Sequence, residues 1–170
     1  MSMKKTKLFI ALMALAASVP CILLGTMAVA QRDTLPRPEG PCDVYAAAGD
    51  PCAAAHSTTR ALFADYNGPL YQVRRTSDDK TLEIKAGKDG YADAAAQDKF
   101  LEGTIGYISQ IYDQSGMGND LVPAAPGTFK GPDKGEFNTM SIADMAPVMV
   151  NGHKAYGVYI ITGMGYRCNN

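Results

Sequence analysis

Leu70-Tyr71-Gln72-Val73-Arg74-Arg75 and, after a polar interval, Thr81-Leu82-Glu83-Ile84-Lys85 are the stretch at which the apolar period becomes two. Leu82 and Ile84 share one face of the second run, which is the alternation of a half-buried strand. Leu70–Arg75 reads as the strand before it. Working outward, Ile105–Tyr112 reads as a further strand. Pro147–Val150, the turn Asn151-Gly152 and His153–Ile161 read as a hairpin, because Asn-Gly tolerates positive φ at both central positions. Several strands, turn-rich connections and few helices predict an all-β domain, an antiparallel β-sandwich. About five strands are visible, too few for a closed two-sheet sandwich. The chain stops soon after the last, in Gly165-Tyr166-Arg167-Cys168-Asn169-Asn170, so the expected sandwich is incomplete.

Two helices are expected around these strands. Asp50 can cap the first and Pro51 suits its first turn. Cys52, Ala55, Thr59, Leu62 and Tyr66 then recur at helical spacing, and Asn67-Gly68 ends the run. Asp93–Leu101, carrying Ala94, Ala95 and Ala96, predicts a short helical turn. Asp113 to about Ala146, rich in Gly, Pro, Asn and Asp, reads as a long loop.

Composition narrows the function classes. Sixteen Lys+Arg face 17 Asp+Glu in 170 residues, so no basic footprint for nucleic acid is present. The chain opens with Lys4, Lys5 and Lys7, an apolar run from Leu8 to Ala30, and the small-x-small signal Ala28-Val29-Ala30. These are the parts of a secretory signal peptide over 1–30. An uncleaved membrane anchor is the rival reading, but Pro20 breaks the run. The expected location is secreted or periplasmic, without stable membrane association after cleavage. Residues 31–41, with Pro36, Pro38, Gly40 and Pro41, read as an exposed lead-in, and 42–170 as the folded domain.

Export places the cysteines in an oxidising compartment. Cys42 and Cys52 flank a short loop and are expected to form a disulfide worth about 2–3 kcal/mol in the chain-entropy model. A metal site would need more ligands, and nothing spaces His56 and His153, the two histidines, as partners. Cys168 is left over.

From spacing alone no catalytic constellation emerges. Gly116-Met117-Gly118-Asn119 lacks the third glycine and the amphipathic helix of a dinucleotide loop, and reads as a turn. His56-Ser57 with scattered aspartates suggests a hydrolase triad only weakly, because no nucleophile elbow surrounds Ser57. Asp78, Asp79, Asp113, Asp120 and Asp133 lie in or near loops, where aspartates mostly organise Asx turns.

Longer runs carry a resemblance. Cys42-Asp43-Val44-Tyr45, Pro51-Cys52, Ala55-His56-Ser57-Thr58-Thr59-Arg60-Ala61-Leu62 and Leu70-Tyr71-Gln72-Val73 are its first parts. Ser77-Asp78-Asp79, Ala92-Asp93-Ala94, Ala96-Gln97-Asp98 and Ile111-Tyr112-Asp113-Gln114-Ser115-Gly116 follow. Ala146-Pro147-Val148, Lys154-Ala155-Tyr156-Gly157-Val158 and Gly165-Tyr166-Arg167 close it. Together they resemble the front part of the arabinofuranosidase B catalytic domain, glycoside hydrolase family 54.

The resemblance implies a concanavalin-A-like β-sandwich, or jelly roll. It also implies removal of terminal α-L-arabinofuranosyl groups from arabinan and arabinoxylan, with no cofactor. The implied mechanism is retaining, with a nucleophilic carboxylate and an acid/base carboxyl about 5–5.5 Å apart. The family's catalytic pair is expected past Asn170, so no catalytic residue is assigned here and the chain alone is expected to be inactive. Leu101 and Gly106 stand where fungal members have a second small disulfide. The rival reading is a non-catalytic concanavalin-A-like module that binds glycans or serves adhesion, suggested by the Tyr112-Asp113-Gln114-Ser115-Gly116 segment.

Overall fold

The computed structural model describes residues 37–126 and 135–168. The elements are α1 (Pro41–Ala47), β1 (Pro69–Arg75), β2 (Thr81–Lys85), α2 (Ala94–Phe100), β3 (Gly106–Ile111), β4 (Val122–Pro123), β5 (Pro147–Val150), β6 (His153–Tyr156) and β7 (Tyr166–Arg167). Strands outnumber helices and every ladder between named strands is antiparallel. Residues 1–36, including the expected signal peptide and most of the lead-in, lie outside the described residues.

β1 is the middle of a three-stranded sheet, ordered β2-β1-β3. In its pairing with β2 the register shifts between Pro69 and Tyr71. That irregularity lets the consecutive residues Leu70 and Tyr71 both be buried, which strict alternation forbids. Val73, Ile84 and Ile108 complete the inward face at 0% exposure. Leu101, Ala92 and Ala143 close over it.

α2 begins where the alanines predict. The Asp93 carboxylate accepts from the Ala96 N–H at 3.0 Å, satisfying a donor that the first turn leaves free. Its Gln97 is fully buried and bonded on both sides: Tyr71 donates its hydroxyl to Oε1 at 2.8 Å, and Nε2 donates to the Ala143 carbonyl at 2.9 Å. A buried amide with both ends satisfied fixes the helix against β1.

The helix expected from Asp50 to Tyr66 does not form. α1 precedes it, with Pro41 at its first position and the Gly40 N–H donating to Asp43 Oδ2 at 2.7 Å. Downstream, acceptors far along the chain take the backbone donors a helix would use. Ala55 N–H reaches Asp113 Oδ1 at 2.8 Å, Leu62 N–H reaches Gln114 Oε1 at 2.7 Å, and Ala64 N–H reaches Asp43 Oδ2 at 2.8 Å. Ala61 N–H meets the Gly90 carbonyl at 2.8 Å. Ser57 Oγ accepts from the N–H groups of Thr59 and Arg60, a local bond that competes with a helix. Tertiary partners override the apolar periodicity.

β5 and β6 form the expected hairpin, with Asn151 and Gly152 at φ 50° and 83°. The second strand ends at Tyr156, short of the expected Ile161. The segment read as a loop from Asp113 to Ala146 holds the short β4, which pairs with β7 near the end of the chain.

Candidate functional site

Two polar clusters stand out. The first joins the 53–60 segment to the turn after β3. Asp113 is buried, and its carboxylate accepts the N–H groups of Ala55 (2.8 Å), Ser115 (2.9 Å) and Asn119 (3.0 Å) and the Ser115 hydroxyl (2.8 Å). Burial works to raise its pKa, but these hydrogen bonds, led by those from Ser115, outweigh it and hold the carboxyl well below the ordinary range. Asp120 accepts the Asp113 N–H at 2.8 Å and the Gln110 amide at 2.8 Å. His56 Nε2 donates to the Asn119 carbonyl at 2.7 Å. Most of these acceptors hold loop backbone N–H groups, so the cluster is an organiser of the chain.

The second cluster lies where α2 meets the β5–β6 hairpin. Lys154 and Tyr156 are two apart on β6 and so share a face. Both reach Asp98 of α2, Lys154 Nζ at 2.6 Å and the Tyr156 hydroxyl at 2.5 Å. Burial opposes ionisation of Asp98, yet the bonds from Lys154 and Tyr156 prevail and its pKa is lowered. Beside it the His153 ring stacks on Tyr91, centroids 4.0 Å apart and 9° from parallel, and its Nδ1 lies 3.1 Å from Asp89. The guanidinium of Arg60 approaches the Tyr91 ring at 5.6 Å. Asp89, Tyr91, Asp98, His153 and Lys154 line an open pocket of about 430 Å³. Neither cluster was legible as a unit, because Ala55 reaches Asp113, Asp89 meets His153, and Asp98 meets Lys154 and Tyr156 only through contacts between distant parts of the chain.

The sequence candidates separate accordingly. His56 and Ser57 have different partners and form no triad. Asp78 sits in the β1–β2 turn, where Arg75 grips both its oxygens at 2.7 and 2.8 Å and Lys80 lies at 3.0 Å. The Arg75 hydrogen bond is the leading cause holding its carboxyl well below the usual range. Asp79 follows at φ 56°, a turn position. Gly116 and Gly118, at φ 79° and 76°, shape a turn as expected. Asp133 lies outside the described residues. Among the described residues the displaced carboxyls, Asp78, Asp98 and Asp113, move downward, whereas a glycosidase acid needs a raised value.

Cys42 and Cys52 are joined in a disulfide, their Cα atoms 5.7 Å apart. Cys168 is free and half-buried. Among the described residues no group of three His, Cys, Asp or Glu is placed to hold a metal ion. Leu101 fills the space over Gly106: a Cβ there would stand 2.4 Å from Leu101 Cδ2 and 3.0 Å from Val73 Cγ1. Side-chain volume from one position thus occupies the place next to the other.

Comparison with known proteins agrees with this framework. The catalytic profile of α-L-arabinofuranosidase B matches residues 41–170. The chain belongs to the α-L-arabinofuranosidase B catalytic family. It is 57% identical over 131 residues to the α-L-arabinofuranosidase B of Emericella nidulans, covering 76% of this chain and 26% of that one. It is 51% identical over 149 residues to the α-L-arabinofuranosidase of Hypocrea jecorina, covering 88% and 28%. A crystal structure of an arabinofuranosidase complexed with arabinofuranosyl-α-1,2-xylobiose overlays with a TM-score of 0.73 at 52% identity, over 77% of this chain and 27% of that one. The chain therefore spans about a quarter of the length of the arabinofuranosidases it matches. The two polar clusters are built from this shared quarter.

Proposed function

We propose that this chain supplies the framework of an α-L-arabinofuranosidase that removes terminal α-L-arabinofuranosyl groups from arabinan and arabinoxylan by a retaining mechanism. The observation that carries the proposal is the family match across 41–170, at 57% identity to one relative over 131 residues. The carbohydrate in the related crystal complex, an arabinofuranosyl xylobiose, supports arabinose-bearing plant polysaccharides as the partner. A concanavalin-A-like sandwich is the architecture we propose, supported by the antiparallel ladders and inward apolar face of β1, β2 and β3. Lys4, Lys5 and Lys7, the apolar run and Ala28-Val29-Ala30 support export to a secreted or periplasmic location.

In this reading the catalytic pair belongs to the part of the family's chain outside the matched quarter. Retaining hydrolysis needs a nucleophile and an acid/base carboxyl held apart at a fixed distance and free to reach the sugar. Asp78, Asp98 and Asp113 are held ionised by their bonding partners, so none is tuned to donate a proton. The purified chain is therefore expected to release no arabinose from an aryl α-L-arabinofuranoside, whereas a chimera carrying it in place of the matching quarter of a relative should release it. Turnover by the chain alone that disappears in Asp113→Asn or Asp78→Asn would overturn the framework role.

A further inference from the structure

The stretch after β6 departs from its own sequence in an informative way. Gly157-Val158-Tyr159-Ile160-Ile161 is β-branched and aromatic, the composition of a strand, yet no ladder forms there. Val158 turns inward onto the core, but Tyr159, Ile160 and Ile161 are 42%, 50% and 51% exposed. In an extended chain successive side chains point to opposite sides, so three exposed apolar residues in a row leave both sides uncovered. Neither the N–H nor the C=O of Ile160 is hydrogen-bonded among the described residues.

The patch extends onto the hairpin. Gly157 N–H bonds the Ala146 carbonyl at 2.9 Å, which sets this stretch beside the segment leading into β5. Met145 and Met149 there are 51% and 67% exposed. No charged residue occurs from Met145 to Val150 or from Ala155 to Met164. Natural edges exposed to solvent are blunted by charge or proline, and only Pro147 does so here. The Tyr159 N–H donates to Ser141 Oγ and the Ile161 carbonyl accepts from the Met164 N–H, so the open backbone is at Ile160, and an uncharged patch around it fits an apolar, β-forming partner.

We propose that residues 157–161, with Met145 and Met149, form the seat for a strand from the part of the arabinofuranosidase chain outside the matched quarter. Coverage argues for that occupant over a second copy of this chain. The relatives share this fold at a TM-score of 0.73 and carry roughly three-quarters of their chain beyond the match, since it covers only 27% of the solved one. The proposal rests on family membership and on the exposed patch, and not on the proposed activity.

The test uses two proteins: the chain itself, and a chimera in which its residues 41–170 replace the matching stretch of the Emericella nidulans enzyme. Ile160→Lys with Ile161→Lys should move the melting temperature of the chain alone by less than about 2 °C, because both sites are open to water. The same pair should lower that of the chimera by at least about 5 °C, because the charges would be buried. Amide exchange at Ile160 and Ile161 should also slow at least about 100-fold from chain to chimera, a readout that survives if the lysine pair prevents folding. Equal melting shifts in the two proteins would overturn the proposal, as would unprotected amides in a folded chimera. A chain that dimerises by light scattering and becomes monomeric with the lysine pair would assign the seat to a second copy and overturn it too.

Discussion

The β2-β1-β3 sheet and the stretch from Met145 to Ile161 are written in the same apolar, β-branched alphabet, yet the second buries Ala155 and Tyr156 while leaving Met145, Met149, Tyr159, Ile160 and Ile161 exposed. In the sheet, Leu70, Tyr71, Val73, Ile84 and Ile108 reach 0% exposure. α2 covers them through Gln97, and Leu101 fills the gap over Gly106. In the second region Met149 is 67% exposed and Ile161 51%. What differs is the neighbour. Alternation creates a face, but a face becomes core only where another element is present to exclude water from it.

Mutations can break or sharpen that contrast. The largest expected effect is Leu70→Ala, which deletes a fully buried side chain and should cost about 2–5 kcal/mol in urea unfolding. A cost below about 1 kcal/mol would show that the sheet is not packed as described.

Opening the Cys42–Cys52 bond with the paired Cys→Ser substitutions comes next, at about 2–3 kcal/mol for a sequence separation of 10. Non-reducing peptide mapping should find the two joined and Cys168 apart from them. Free thiols at both Cys42 and Cys52 would contradict the assignment.

Asp113→Asn should cost about 1–3 kcal/mol near neutral pH, since an amide cannot accept all four bonds the carboxylate takes. Its bonding partners set the folded pKa below the unfolded value of about 3.9. The ion therefore stabilises fully above about pH 5 and progressively less as acid titrates it. Urea midpoints measured from pH 7 to pH 3 should fall more steeply in the parent than in the variant. Parallel curves would remove Asp113 from the loop's support.

Ile161→Ser is the smallest, within about 0.5 kcal/mol for the chain alone, because the residue is already half exposed. A loss comparable to that of Leu70→Ala would mean that the region is covered, and the contrast would collapse.

Local rules sufficed wherever their partners were close in sequence. Leu82 and Ile84 announced β2, Asp93 with three alanines announced α2, and Asn151-Gly152 announced the hairpin turn. The disulfide was legible because a separation of ten residues, with the expected export, leaves little choice. The recognisable runs, His56–Leu62 and Lys154–Val158 above all, identified the family. The candidate clusters were less legible. Asp113 was visible as a loop aspartate, but its four donors come from Ala55, Ser115 and Asn119, up to 58 residues away. Lys154 and Tyr156 are neighbours on β6, but Asp98, which joins them, lies more than 50 residues earlier in the chain.

The sequence by itself determined the all-β character, the two turns, the α2 start, the Cys42–Cys52 pair and the family. All but the family follow from side-chain period, dihedral preference and short separations, which are properties of the chain before it folds, and the family follows from the resemblance of runs such as His56–Leu62. Only the tertiary structure decided that residues 51–66 are not a helix, because Asp113, Gln114 and Gly90 capture the donors a helix would have used. It likewise decided that Tyr159-Ile160-Ile161 is not a strand. A ladder needs a second strand, and among the described residues none stands beside it.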